Sequence, residues 1–186
     1  EKSKDPVEEA LFPENKFNIV SCGRLSPVKG LNFAVEAVAK LVEEGYTDIN
    51  WYIVGGGPIE DELKEQIATH KMEKHIFMLG MKNNPYPYIK KCDLFIQPSI
   101  FEGKSVTVRE AQVLCKPTVI TNYPTAKSQI NNKVDGVIVP LDEENAAKGI
   151  ADFINNPTLQ KEISDYLASN DFGNESEVEK VYCLMN

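Results

Sequence analysis

Cysteine and histidine are scarce in this 186-residue chain, with four Cys (Cys22, Cys92, Cys115, Cys183) and two His (His70, His75). The cysteines are widely spaced and form no C-x-x-C pair. Neither a disulfide framework nor a zinc site is therefore expected, and a reducing, cytoplasmic setting fits best. No run approaches the roughly 18 consecutive apolar residues that a membrane-spanning helix needs. The opening stretch, Glu1 to Lys16, lacks the apolar centre of a secretion signal and an initiator Met, so it reads as text from within a longer protein. Nothing is spaced like a Ser-His-Asp or Cys-His catalytic set. A dinucleotide fingerprint of the G-x-G-x-x-G type is also missing.

Positive charge is lacking too. The formal net charge is −8. Residues 142–186 carry ten acids and three bases, while residues 1–141 carry eighteen acids and seventeen bases. With no broad basic face, nucleic acid is not an expected partner. The acidic C-terminal third reads as a solvated helical surface.

What is present is alternation. Short β-branched runs, Phe17–Cys22, Asn50–Val54, His75–Leu79, Leu94–Gln97, Pro117–Thr121 and Gly136–Val139, read as strands. Between them Leu31, Val35, Val38, Leu41 and Val42 recur at helical spacing, and helices are expected over Glu60–His70, Tyr86–Lys91 and Thr107–Cys115. Two more follow, Glu143–Asn155 and Leu159–Ser169, separated by Pro157. Such alternation implies right-handed crossovers. The predicted fold is α/β: a doubly wound, mostly parallel, six-stranded Rossmann-like sheet with helices on both faces. Ligands of such sheets bind beyond the carboxyl ends of the strands, here after Cys22, Val54, Gln97 and Ile120.

Unusual residues cluster at those points. Gly23-Arg24-Leu25-Ser26-Pro27-Val28-Lys29-Gly30 follows the first strand. Gly23 permits a tight exit, and Arg24 and Lys29 are two cations able to clamp a diphosphate. Two cations on a loop are also common at ordinary surfaces. Phe101-Glu102-Gly103-Lys104-Ser105-Val106-Thr107-Val108-Arg109-Glu110 precedes a helix, so Gly103 to Val106 are expected to offer free backbone N–H groups to an anion or sugar oxygens. Glu102 and Glu110 are placed to accept from hydroxyls at two ends of one ligand. The plainer reading makes Ser105 a helix cap and Glu110 a solvent-facing partner of a helical cation. Gly55-Gly56-Gly57-Pro58 lets backbone approach a ligand, or is simply a tight turn. Gly80-Met81-Lys82 could read the edge of a planar base. Tyr86 and Tyr88 could face that base, although packing under the adjacent loop explains them better. His70 and His75 read as surface residues.

In this order the pieces resemble the C-terminal, donor-binding domain of GT-B glycosyltransferases, the retaining family 4 type also called glycosyltransferase group 1. The resemblance rests on Gly23-Arg24-Leu25…Lys29-Gly30, Val54-Gly55-Gly56-Gly57-Pro58, Gly80…Asn84-Pro85-Tyr86-Pro87-Tyr88, Cys92-Asp93-Leu94-Phe95 to Pro98-Ser99, Glu102-Gly103…Glu110-Ala111, Lys116-Pro117 and Gly136…Val139-Pro140. The E-x7-E spacing of Glu102 and Glu110 is its specific part. Many relatives carry a further small residue where Lys104-Ser105 stands.

The resemblance implies that Arg24 and Lys29 grip the donor diphosphate and that Glu102 lies beside the donor sugar. It gives Glu110 the ribose hydroxyls and the amides of Gly103, Lys104, Ser105 and Val106 the sugar and phosphate. Gly23 and Gly56 border the donor, and Met81 and Lys82 line the base pocket. Glu102, Arg24 and Lys29 form the expected catalytic set. No metal or other cofactor is expected, because cations replace it. Residues 1–16 are then a linker from a missing N-terminal acceptor domain, 17–170 the donor-binding domain, and 171–186 a C-terminal crossover loop and helix. The expected function is sugar transfer from a nucleoside-diphosphate sugar, UDP by family frequency, to a saccharide or lipid-linked acceptor in polysaccharide biosynthesis. Peripheral association with the inner face of the cytoplasmic membrane is implied in the same way. Two rivals stay open: a nucleotide-sugar epimerase of related fold, and a regulatory or scaffold module keeping the fold without catalysis.

Overall fold

Strand residues in the centre of a parallel sheet are buried on both faces, so consecutive side chains must serve two separate cores. The computed structural model, which describes residue 7 and residues 11–172, shows this arrangement. Ile19, Trp51, Leu94 and Val119 pack in one core, and their neighbours Val20, Tyr52, Phe95 and Ile120 pack in the other. Each fully buried aliphatic side chain contributes on the order of 1.5–3 kcal/mol.

The strands are β1 (Phe17–Cys22), β2 (Ile49–Val54), β3 (Ile76–Gly80), β4 (Leu94–Gln97), β5 (Thr118–Thr121) and β6 (Val137–Val139). All neighbouring pairs are parallel, in the order β3-β2-β1-β4-β5-β6. The helices are α1 (Leu31–Glu43), α2 (Glu60–Thr69), α3 (Tyr86–Lys91), α4 (Val106–Val113), α5 (Ala126–Gln129), α6 (Glu143–Ile154) and α7 (Pro157–Ser169). Val35 of α1, Leu63 of α2, Ile150 of α6 and Ile163 of α7 join the first core, whereas Ile89 of α3, Val108 of α4 and Ala126 of α5 join the second. The doubly wound, six-stranded sheet read from the sequence is the observed fold.

The boundaries move by a residue or so, with β2 starting at Ile49 and β3 running to Gly80. Helix α5 and a 3-10 turn over Pro27–Lys29 add to the expected elements. Both are too short to show a helical period. Pro157 starts α7 instead of merely separating two helices. A proline at the first helical position has no N–H to leave unpaired, and Asn156 Oδ1 caps the helix by accepting from Leu159 N–H at 3.0 Å. Asp142 caps α6 in the same way, accepting from Asn145 N–H at 2.9 Å.

One buried polar relay ties the central strands together. Trp51 Nε1 donates to Ser21 Oγ at 2.9 Å, and Ser21 Oγ donates to the Ile96 carbonyl at 2.7 Å. A buried indole N–H needs such an acceptor. Connections leave β1 toward β2 and β3 on one side, and the chain returns to place β4 on the other. The β1–β4 boundary is therefore the topological switch point, where a crevice opens beyond the strand ends. Most of the expected linker (1–16) and C-terminal crossover piece (171–186) lies outside the described residues. Within them, Phe12 packs on Tyr52 with ring centroids 4.5 Å apart and planes tilted by 38°, and the Arg109 guanidinium lies 5.4 Å from the Phe172 ring. Among the described residues no helix is long and apolar enough to cross a membrane.

Candidate functional site at the switch point

The segment after β1 continues its pairing beyond the sheet. Gly23 N–H donates to the Val54 carbonyl at 3.0 Å, and Leu25 N–H donates to the Gly56 carbonyl at 3.0 Å. This zip brings two loops into backbone contact. A Cβ on Gly55 would stand 1.8 Å from the Gly23 oxygen, and one on Gly57 would stand 2.2 Å from the Leu25 oxygen. Close packing of the two loops thus accounts for these two glycines. Leu25 is buried and anchors its loop, while Arg24 beside it is exposed and has no ion-pair partner among the described residues. The 3-10 turn ends at Gly30, which has φ of +63° and lies so close to the Pro98 carbonyl that a Cβ would meet it at 2.0 Å. That contact seats Lys29 against the exit of β4.

Across the crevice, Lys29 Nζ lies 2.5 Å from Glu102 Oε1. The same oxygen accepts from Ser99 Oγ at 2.7 Å and from Gln97 Nε2 at 3.1 Å. Gln97 also donates to Ser99 Oγ at 2.7 Å, and its Oε1 accepts from Thr107 Oγ1 at 3.1 Å. The Glu102 carbonyl accepts from Thr125 Oγ1 at 2.7 Å. With Oε1 saturated and the carboxylate half-buried, Oε2 is the atom left for a ligand hydroxyl.

Helix α4 begins beside Glu102, and its N-terminus differs in one respect from the sequence expectation. The Ser105 N–H is not free, because it donates to Gln129 Oε1 at 3.0 Å, while Gln129 Nε2 donates back to the Ser105 carbonyl at 2.9 Å. Tyr123 OH donates to the same Gln129 oxygen at 2.7 Å. Nor does Ser105 cap the helix through its side chain, because its hydroxyl pairs with Thr107 Oγ1 at 3.0 Å. The N–H groups of Val106 and Thr107 therefore carry the unsatisfied positive end of the helix. Burial and the nearby Glu102 charge push the Tyr123 hydroxyl well above its ordinary range, so it remains a donor to Gln129.

Glu110, one to two turns into α4, accepts from Tyr86 OH at 2.9 Å. That bond and the carboxylate charge raise the Tyr86 hydroxyl. Burial, with a smaller push from Glu110, lifts the Cys22 thiol to about 11. The end of β1, the start of α3 and the middle of α4 thus meet around one carboxylate. Next to them an open cleft of 410 Å³ lies between Gly23-Arg24, Gly55-Gly56 and Met81-Lys82. Met81 is 82% exposed on its wall. Tyr88 does not face this cleft as a free ring, since Lys82 Nζ sits 5.7 Å above it and Phe12 packs 6.4 Å away.

The structure gathers Gly23, Arg24, Lys29, Gly56, Met81, Lys82, Glu102 and Glu110 around the crevice, with Gly103, Lys104 and Val106 exposed at its rim. The two histidines are elsewhere: His70 Nε2 lies 2.9 Å from Glu36, and His75 Nδ1 lies 3.1 Å from the Ile49 carbonyl. Sequence reasoning missed Gln97, Ser99, Thr107, Tyr123 and Gln129. Gln97 and Gln129 had no signal, because a single amide in a strand or a short helix forms no pattern. Ser99 stood only as part of Pro98-Ser99. Among the described residues no three His, Cys, Asp or Glu side chains cluster as a metal-binding set.

Known proteins resemble this chain in sequence and in fold. The chain is 32% identical over 155 residues to the N-acetylgalactosamine-N,N'-diacetylbacillosaminyl-diphospho-undecaprenol 4-alpha-N-acetylgalactosaminyltransferase of Campylobacter jejuni, covering 82% of this chain and 41% of that protein. It is 29% identical over 145 residues to the UDP-Gal:alpha-D-GlcNAc-diphosphoundecaprenol alpha-1,3-galactosyltransferase of Escherichia coli, covering 76% and 38%. The chain thus spans about two-fifths of the length of these two relatives. A glycosyltransferase structure from Rickettsia africae superposes with a TM-score of 0.81 at 26% identity, over 92% of this chain and 48% of that one. Anabaena HepE in complex with UDP shares the fold, with a TM-score of 0.78 at 23% identity over 91% and 49%. The family model described as glycosyl transferases group 1 matches residues 3–169, almost the whole described domain, and the chain belongs to that family.

Proposed function

We propose that this chain is the donor-binding half of a glycosyltransferase, which moves a sugar from a nucleoside-diphosphate sugar to a saccharide or lipid-linked acceptor. The observation that carries this reading is the convergence of Lys29, Glu102, Arg24 and the open start of α4 at the β1–β4 switch point. Breaking the bond between the anomeric carbon and the β-phosphate oxygen leaves negative charge on the departing diphosphate. Arg24, Lys29 and the N–H groups of Val106 and Thr107 would meet that charge, and such contacts would strengthen as it grows. Cations and helix dipole would then fill the role that a divalent metal takes in other phosphate chemistry. Glu102 would accept from a sugar hydroxyl through Oε2, and Glu110 from the ribose. Gly103 and Lys104 at the rim, with Met81 and Lys82 on the cleft wall, would border the sugar and base. Retention of anomeric configuration follows from the family resemblance.

UDP is the proposed base carrier, supported by the UDP named with Anabaena HepE and in the Escherichia coli relative's name. Both curated relatives carry diphospho-undecaprenol in their names. That supports a lipid-linked acceptor and work at the inner face of a cytoplasmic membrane, with an N-terminal acceptor domain completing the enzyme. The epimerase and scaffold readings lose ground because these relatives are named as transferases.

Titration calorimetry of this chain with UDP, GDP and ADP up to millimolar concentration tests the reading. Binding of one nucleotide, abolished in the Arg24→Ala/Lys29→Ala double variant, is the expected result. Absence of binding by all three would remove the donor site. In the full-length protein, transfer should persist in excess chelator. Conversion of a UDP-sugar into its epimer without acceptor would favour the epimerase instead.

A further inference from the structure

Tyr86 opens α3, and its backbone N–H donates to Asn84 Oδ1 at 3.2 Å. Pro85 and Pro87 flank it and restrict the local backbone. Its hydroxyl crosses from α3 to α4 and donates to Glu110 Oε1 at 2.9 Å. No cation lies at ion-pair distance from Glu110 among the described residues. Arg109, the adjacent cation on α4, is placed instead against Phe172. Glu110 is therefore a half-buried carboxylate whose assigned donor is a neutral phenol. A phenol occupies one oxygen without cancelling the charge, which leaves Oε2 oriented and available. A lysine or arginine in its place would compete with a ligand for both oxygens.

We propose that Tyr86 is a positioning residue that holds Glu110 in the orientation from which it accepts the vicinal hydroxyls of a ribose. The proposal rests on the reading of Glu110 as a ribose contact. A purely structural role predicts a different pattern. Loss of packing or of fold would weaken every ligand alike, whereas loss of Glu110 orientation weakens only those ligands that carry the hydroxyls.

The test uses this chain with whichever of UDP, ADP and GDP it binds most tightly, and with the matching 2′,3′-dideoxynucleoside diphosphate. The unmodified chain is expected to bind the dideoxy probe about tenfold more weakly, and Glu110→Ala is expected to erase that difference. Tyr86→Phe keeps the ring and removes only the hydroxyl. It should weaken the ribose-bearing ligand by roughly three- to tenfold and leave the dideoxy probe unchanged. In the Glu110→Ala background it should have no further effect on either ligand. Thermal unfolding of Tyr86→Phe confirms that the variant is folded. If Tyr86→Phe weakens both probes equally, or neither, the positioning role is overturned while the ribose reading of Glu110 stands. If Glu110→Ala keeps the full ribose preference, the Glu110 reading falls and the proposal with it. Failure of all three nucleotides to bind overturns both.

Discussion

Lys29 and Glu102 lie 73 positions apart in the chain and meet with Nζ 2.5 Å from Oε1, on opposite lips of the β1–β4 crevice. The ammonium proposed for the diphosphate therefore already faces a carboxylate, whereas Arg24 has no ion-pair partner among the described residues. A diphosphate bound as proposed would compete with Glu102 for Lys29 but would meet no such rival at Arg24. Arg24→Ala is expected to cost nucleoside-diphosphate binding about 1.5–3 kcal/mol, and Lys29→Ala less. Glu102→Gln, which releases Lys29, should tighten diphosphate binding in calorimetry while lowering transfer by the full-length enzyme. Looser binding by Glu102→Gln would contradict the competition.

The loop zip makes a prediction about stability. In Gly57→Ala the new Cβ meets the Leu25 oxygen at 2.2 Å, so one of the two loops must move. Overpacking of this kind costs about 1–3 kcal/mol, and Arg24 should shift with its loop. Gly103 has nothing within 4 Å of such a Cβ, so Gly103→Ala is the matched control and should leave the unfolding midpoint unchanged. Denaturant titration of both variants distinguishes loop packing from a general intolerance of alanine.

Gln129 satisfies both the N–H and the carbonyl of Ser105 and also accepts from Tyr123 OH. In Gln129→Ala these groups lose their partner beside a buried serine, at a cost of about 1–3 kcal/mol. The start of α4 should then loosen. Hydrogen exchange is expected to show faster exchange at Ser105 and Val106, together with weaker nucleotide binding. Unchanged protection at Ser105 would show that the clamp is dispensable.

Cys22 supplies the pH dependence. Its thiol is raised to about 11, first by burial and then by the Glu110 charge. Only the thiolate reacts with alkylating reagents, so at pH 8 the reactive fraction is on the order of one in a thousand. Alkylation at Cys22, followed by peptide mass spectrometry, should accelerate about tenfold per pH unit from pH 8 to 10. Glu110→Gln removes a negative charge that opposes thiolate formation, so the thiol should fall and the reaction quicken at fixed pH. Burial remains, so Cys22 should still titrate above an ordinary thiol. A rate in Glu110→Gln equal to that of the unmodified chain would mean that the carboxylate does not face the thiol.

Much of this architecture is readable from the linear chain because the forces behind it are local or periodic. Paired apolar residues such as Ile19-Val20 and Trp51-Tyr52 announce strands buried on both faces, and the repeat from Leu31 to Val42 announces an amphipathic helix. Alternation of the two types leaves few topologies, so the sheet and its ligand edge follow. Arg24, Lys29, Glu102 and Glu110 were legible for the same reason, since each sits just past a recognisable strand or near the start of its helix. The tertiary structure alone decides how these groups are used. Register and crossover bring Lys29 to Glu102, Tyr86 to Glu110 and Gln129 to Ser105 across 73, 24 and 24 positions. No local pattern encodes such pairings, because a hydrogen bond depends on angstrom-scale placement by elements far apart in sequence. The same holds for what the chain has little of. Scarce cysteine and histidine exclude whole chemistries on composition alone, but that Cys22 stands beside the Glu110 carboxylate is a fact of folding.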